Sequence, residues 1–405
     1  GQRRKPPPPG GTFFEGSSMF KATEGVMLPT TIIGSLPRPH WYTENIGART
    51  FLEAMSNSRF REQYVDAVSA YLRDQEIAGL DICTDGDCRF DTDVGGLSWA
   101  SYAARQMAGF SGFNPRRFPW EERTRGTILS EVGEARMMPK IVGPVGPGDL
   151  QYTALWKAAQ RLTKKPVKFG TISPDLLAFY VEDHYYKDVR ERIMALSEAM
   201  NEELIALARA GCPVIQIEDP QIHMLAAKGI RADVISLDFA VEAFNATVKG
   251  LCAHTEVWYH SCWGNAAQQR AFDEPQSYAP ALEAMNRVDA DLITFECCST
   301  AGMDMEAIGE CIGEKKIAIG VVDHHTLQVE KAEEVAALIH RALGTIPPER
   351  LVICSDCGMG REGMSRRHAF YKIAAIVQGT NLARRELGLP EVECLAADLR
   401  FNLSE

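Results

Sequence analysis

No apolar stretch in the 405 residues approaches the roughly 18 that a membrane-spanning helix needs, and no membrane partner is expected. No opening pattern of basic, apolar and small residues marks a secretory signal, and the cytoplasm is the expected compartment. Long Lys/Arg runs are missing too. With 43 Lys and Arg against 54 Asp and Glu, the formal charge is −11, a poor basis for gripping a phosphate backbone; no nucleic-acid partner is expected. The 11 cysteines are odd in number and scattered, which argues against a disulfide framework and for reduced thiols, some of them able to bind metal. No internal repeat of 20–50 residues stands out.

What is present is a long alternation of short apolar runs and helical patterns. Residues 1–26, with Gln2-Arg3-Arg4-Lys5, Pro6 to Pro9 and Gly10-Gly11, stand apart; they read as an extension, disordered or added for expression. From residue 27 onward, eight strand candidates follow: Thr30–Ser35, Gly79–Cys83, Val167–Ile172, Pro213–Glu218, Glu256–His260, Leu292–Glu296, Ile317–Asp323 and Leu351–Ser355. Helical spacing covers 61–78, 187–211, 234–248, 329–343 and 364–387. The pattern predicts an α/β fold, a single (β/α)8 TIM-type barrel over 27–405, with the irregular 88–150 region inserted after strand two. That region carries Trp99 and Trp120.

In such barrels the reacting groups gather at the carboxyl ends of the strands. Those ends read Asp85-Gly86-Asp87, Glu218-Asp219-Pro220, His260-Ser261-Cys262-Trp263-Gly264-Asn265, Glu296-Cys297-Cys298, Asp323-His324-His325 and Cys354-Ser355-Asp356-Cys357-Gly358. His260 and Cys262 lie two apart in an extended segment and can face one side. Cys357 joins them only if the sheet closes, and Glu296 falls between them around the ring. Such an N, S, O, S set suits zinc, with the carboxylate the group most easily displaced by an incoming thiol. Singly each signal is weak. A His-x-Cys pair arises by chance, Cys354 and Cys357 alone would suggest a structural zinc or redox motif, and Cys297-Cys298 or His324-His325 could be ordinary packing and loop residues.

The motifs resemble the catalytic, carboxyl-terminal domain of cobalamin-independent methionine synthase and its single-domain relatives, which include epoxyalkane:coenzyme M transferases. Thr30-Thr31-Ile32-Ile33-Gly34-Ser35-Leu36-Pro37-Arg38-Pro39 is similar to the family's opening segment, and Val214 to Pro220 to its VIQIDEP. His260-Ser261-Cys262, Ile293-Thr294-Phe295-Glu296 and Asp356-Cys357-Gly358 resemble its ligand motifs, in order. The resemblance implies zinc on His260, Cys262, Glu296 and Cys357, and backbone at Ile33, Gly34 and Ser35 cradling the polar end of a small thiol. It implies His325 as a general acid oriented by Asp323, and Asp87, Glu218 and Asp219 as the groups facing a substrate ammonium.

The chain departs from the family at Gly86-Asp87, where Gly-Glu is usual, and at Glu218-Asp219-Pro220, where Asp-Glu-Pro is usual. Gly170-Thr171-Ile172-Ser173-Pro174 stands in place of Gly-Pro-x-Thr. The implied reaction is transfer of a methyl or other alkyl group from a donor to a thiol, homocysteine giving methionine. The alternative within this chemistry is addition of coenzyme M to an epoxide. From other classes come a metal-free barrel akin to uroporphyrinogen decarboxylase, against which the cysteines argue, and a non-catalytic zinc or thiol sensor. Oligomeric state is left open, a homo-oligomer included.

Overall fold

The computed structural model describes residues 21–87, 98–115, 126–127, 137–264, 268–272, 275–360 and 363–403. Residues 1–20, Trp120, Asn265 and the side chain of Trp99 lie outside them. Among the described residues nine strands are formed: β1 (Cys83–Thr84), β2 (Ala108–Pro115), β3 (Met137–Gly146), β4 (Val167–Ile172), β5 (Val214–Glu218), β6 (Glu256–His260), β7 (Leu292–Phe295), β8 (Lys316–Gly320) and β9 (Leu351–Cys354). Seven of these make one curled parallel sheet in the order β1-β4-β5-β6-β7-β8-β9.

The expected first strand is what lies between the sheet's two edges. Thr30 bridges Ile353 in parallel. The Thr31 amide donates to the Ile353 carbonyl at 3.0 Å, and the Ile82 amide to the Thr30 carbonyl, also at 3.0 Å. One extended segment thus meets β9 on one side and the approach to β1 on the other, giving the TIM-type barrel that the alternation predicted. Asp81 fastens this seam: its Oδ2 accepts from the Thr30 amide and hydroxyl and from Arg384, while Arg384 also donates to the Leu28 carbonyl.

Strand residues alternate between two apolar clusters, as a period-two side-chain pattern requires. Ile215, Ile217, Val257, Tyr259, Ile293 and Phe295 belong to the large cluster that includes the surrounding helices. Val214, Trp258, Leu292, Ala318, Val352 and Cys354 form the smaller one with Ile33 and Ile82. Burial on both faces explains why β4 to β7 place apolar residues toward both clusters and show no exposed polar face. The long outer helices are Ser58–Ala78, Val189–Arg209, Leu237–Val248, Ala332–Leu343 and Arg366–Glu386. Asn57, Asp188, Ser236 and Ser365 cap four of them with side-chain oxygens.

Strand boundaries shift where polar residues end the ladder. The second strand, expected over Gly79–Cys83, pairs only at Cys83 and Thr84, because Gly79 is the left-handed cap of the preceding helix. Between β1 and β4, the described part of 88–150 holds a helix, Ser98–Gln106, and an antiparallel pairing of β2 with β3. Among the described residues no helix is long and apolar enough to cross a membrane.

Candidate functional site

His260 is the last residue of β6, and Cys262 lies two residues beyond it. The His260 Nδ1 pairs with the Thr294 hydroxyl at 2.5 Å, its register partner on β7. That fixes the ring and leaves Nε2 buried without a hydrogen-bond partner. Facing it are the sulfurs of Cys262 and Cys357, 3.4 Å apart, and all three ligand atoms lie within 4.8 Å of one another. The shared contact between the sulfurs holds Cys357 well below the usual thiol range and drives Cys262 well above it. A buried orphan imidazole nitrogen beside two converging thiols is a donor set able to hold a metal ion.

Supporting groups hold this segment from behind. His223 donates from Nε2 to the Cys262 carbonyl at 2.8 Å; since a carbonyl only accepts, that nitrogen carries the proton. Burial pushes the His223 pKa down to about 3, so it stays neutral. The Ser261 hydroxyl donates to the Thr294 carbonyl at 2.6 Å, clamping the end of β6 to β7.

Glu296 takes a different position from its expected partners. Its two oxygens accept from the Trp263 amide, at 2.8 Å, and from the Ser299 hydroxyl. Its carboxylate clusters with His324 and His325 instead, again within 4.8 Å. Burial raises its pKa to about 7 against the opposing pull of His325. The side chain stands beside the Cys/Cys/His group rather than in it.

Asp323 and His325 are paired: Nδ1 of the ring meets Oδ1 of the carboxylate at 3.0 Å, and Nε2 points at the Gly264 carbonyl at 3.3 Å. Both ring nitrogens therefore face acceptors, which the imidazolium satisfies and the neutral ring does not. Burial lowers the His325 pKa, but the Asp323 hydrogen bond and nearby carboxylates outweigh it, and the net shift is upward. Burial likewise works against the Asp323 charge, yet the hydrogen bonds from His325 hold its pKa at about 2.

The signs give a pH window. The carboxylate's contribution to stability is complete above its unfolded pKa of about 3.9 and fades as pH falls toward the folded value; the ring's is complete below about 6.5 and is lost as pH rises through its raised value. Asp323→Asn is expected to lower the His325 pKa, read from ring-proton NMR titration, because the hydrogen bond and charge that favour the imidazolium are lost. An unmoved titration would mean that the carboxylate does not hold the ring.

The Ile33-Gly34-Ser35 segment packs against the loop that carries Cys357. Gly34 has φ +65°, and a Cβ there would sit 2.9 Å from the Gly358 Cα, so only glycine lets the two loops touch. The Ser35 carbonyl accepts from the Met359 and Gly360 amides, each at 2.8 Å, and the Ile33 amide donates to the Ser355 hydroxyl at 2.9 Å. These contacts bind the Ile33-Gly34-Ser35 backbone to the loop carrying Cys357. Glu218 and Asp87 converge on Gly170: a Cβ there would lie 3.3 Å from one carboxylate and 3.7 Å from the other.

Asp219 does not join them. It is fully buried, its amide donating to the His260 carbonyl and its Oδ1 accepting from the Gln221 amide, and its charge is felt by Asp175 and Arg231. Trp263 is buried in the core, whereas Tyr185 is half exposed. Sequence reasoning missed Thr294, Ser299 and His223. Thr294 follows from the β6–β7 register, which no local pattern announces.

With this geometry in hand, comparison with known proteins is informative. Residues 28–381 match the family described as the catalytic domain of cobalamin-independent synthase. A methionine synthase of Saccharolobus solfataricus is 30% identical over 362 residues, spanning 89% of this chain and 96% of the relative. One from Sulfurisphaera tokodaii is 27% identical over 363 residues, spanning 89% and 94%. The fold is shared with a B12-independent methionine synthase from Shewanella sp. W3-18-1 in complex with selenomethionine: TM-score 0.72, 23% identity, 89% of this chain and 99% of that one covered. It is also shared with a putative vitamin-B12 independent methionine synthase from Listeria monocytogenes: TM-score 0.61, 17% identity, 87% and 96% covered. The chain belongs to the cobalamin-independent synthase family, matching its catalytic domain over nearly all of the described barrel.

Proposed function

We propose that this protein transfers a methyl group to the thiol of homocysteine, using zinc held by His260, Cys262 and Cys357, with Glu296 as the exchangeable fourth ligand. The observation that carries this reading is the partnerless, buried His260 Nε2 facing two sulfurs 3.4 Å apart. A nitrogen and two thiolates suit zinc better than the harder cations, and the names of the curated relatives supply the reaction. Zinc bound there would lower the pKa of a thiol entering its open position, making the sulfur nucleophilic at neutral pH. The position of Glu296, bonded to Trp263 and Ser299 and beside rather than among the three ligands, is where a displaced carboxylate would rest.

The remaining residues have separable tasks. Asp87 and Glu218, converging at Gly170, take the substrate ammonium, and the backbone at Ile33, Gly34 and Ser35 takes its carboxylate end. Asp219, turned toward Asp175, contributes through its backbone by tying β5 to β6. His325, doubly protonated and held by Asp323, gives up its Nε2 proton as the methyl donor's leaving group departs. Two carboxylates in the cradle weigh against coenzyme M, whose sulfonate they would repel. A closed, non-catalytic zinc site would leave no position for a thiol.

Zinc K-edge absorption with and without homocysteine, and in parallel with coenzyme M, tests the reading. Homocysteine is expected to raise the sulfur ligand count from about two to about three. A rise with coenzyme M alone would transfer the assignment to thiol addition chemistry, no rise with either would make the metal structural, and no bound zinc would remove the proposal.

A further inference from the structure

Inside the barrel, one strand carries a residue that apolar packing does not explain. Lys168 lies in β4 between Val167 and Phe169 and is 2% exposed. Its Nζ donates to the Ile32 carbonyl at 2.8 Å and to the Gln216 side-chain oxygen at 2.7 Å, and sits 4.5 Å from the Trp258 ring centroid. Burial lowers its pKa to about 8, so the group is still an ammonium at neutral pH. Enclosing a charge is costly, and here two neutral acceptors and a ring face offset the cost only in part.

An ammonium donates and never accepts. Lys168 therefore dictates which way round the Gln216 amide lies: the oxygen must face the lysine, and the NH2 must face away. That NH2 donates to Glu218 Oε1 at 3.3 Å. The same oxygen is the one nearest the space above Gly170 and Gly34, the cradle described above. A directed chain of donors thus runs from the barrel interior through one amide to the carboxylate at the substrate. If the lysine were apolar, the amide could turn over and present its oxygen to Glu218, which would push the carboxylate out of line.

We infer that Lys168 is a positioning residue that sets substrate preference: through Gln216 it holds the Glu218 carboxylate in the cradle and so selects thiols bearing an ammonium group. The inference rests on the reading of the cradle as the site of an amino-bearing thiol. It assigns the lysine no contact with substrate.

The test is binding of two thiols to the zinc-loaded protein by calorimetry: homocysteine, and 4-sulfanylbutanoate, which is homocysteine without its amino group. Lys168→Met keeps the unbranched stem as far as the ε position and removes the donor. Homocysteine is expected to bind about tenfold or more weakly in this variant, while 4-sulfanylbutanoate stays within about twofold, since only the first uses the held carboxylate. Gln216→Leu, which leaves the lysine in place, is expected to show the same selective loss and serves if the first variant fails to fold. Equal loss for both thiols would show the lysine to be a packing element, and unchanged binding of both would show it to be idle; either overturns the inference. A wild-type protein that binds both thiols equally overturns it too. A wild-type protein that binds neither removes the reading of the cradle, and the inference falls with it, a result distinct from any variant effect.

Discussion

Cys357→Ala is expected to reduce bound zinc from about one ion per chain to below about a tenth after dialysis against a weak chelator, because it leaves one thiolate, one imidazole and the easily displaced Glu296 carboxylate to hold the ion. The neighbouring thiol supplies the control. Cys354, three residues earlier, points into the interior cluster with Ile33 and Val352, and burial drives its pKa well above the usual thiol range. Cys354→Ala should keep its zinc. The two variants remove the same atom three residues apart, one at the end of β9 and one in the loop after it, so metal analysis of both separates coordination from a general effect of losing a thiol. Equal zinc in the two proteins would contradict the assignment of Cys357 as a ligand.

Asp356→Ala is expected to destabilise the metal-free protein by about 4 kcal/mol, read as a lower urea midpoint in the presence of chelator. The Asp356 carboxylate accepts three consecutive backbone amides, Cys297 and Cys298 on one oxygen at 2.8 and 2.9 Å and Ser299 on the other at 2.7 Å. All three donors sit in the loop after β7 and each would lose its acceptor, the Cys297 and Ser299 amides in buried bonds and the Cys298 amide in a part-buried one. Removing one partner of a buried bond exposes the full desolvation cost of the other. The same loop carries Glu296 and the Ser299 hydroxyl that holds it, so the carboxylate between Ser355 and Cys357 also fixes the geometry around Glu296. A midpoint equal to wild type would mean that the loop finds other acceptors.

Much of this arrangement was legible in the chain. The apolar runs ending in His260, Glu296 and Cys354 mark strands, because a strand buried on both faces needs an unbroken apolar sequence. The polar residues just after them mark the reacting end. The first strand was legible as an extended segment, but its role as the piece closing the barrel depends on contacts more than 300 residues away. The hairpin β2–β3 was not foreseen: its sequence, broken by Gly109, Gly112 and Gly143, lacks strict alternation, and bulges interrupt its register. Register also hid Thr294. The backbone amides that Glu296 and Asp219 accept from, those of Trp263 and Gln221, are set by loop geometry that no residue pattern announces. Lys168 was visible as a lone charge in an apolar run, but its meaning comes only from Gln216 across the strand.

The seam at Thr30 has a consequence for how the molecule comes into being. The Ile33 amide and the Ser355 hydroxyl are 322 residues apart in sequence, and their bond is made only when the first strand meets the last. Closing so long a loop is entropically unfavourable and slow relative to the local strand–helix steps that precede it. The sheet from β4 to β8 can therefore accumulate as an open trough while the chain is still being synthesised. Cys357 lies just past the closing strand, so the third candidate ligand arrives with the final stitch, and a folding intermediate would offer metal only an incomplete grip.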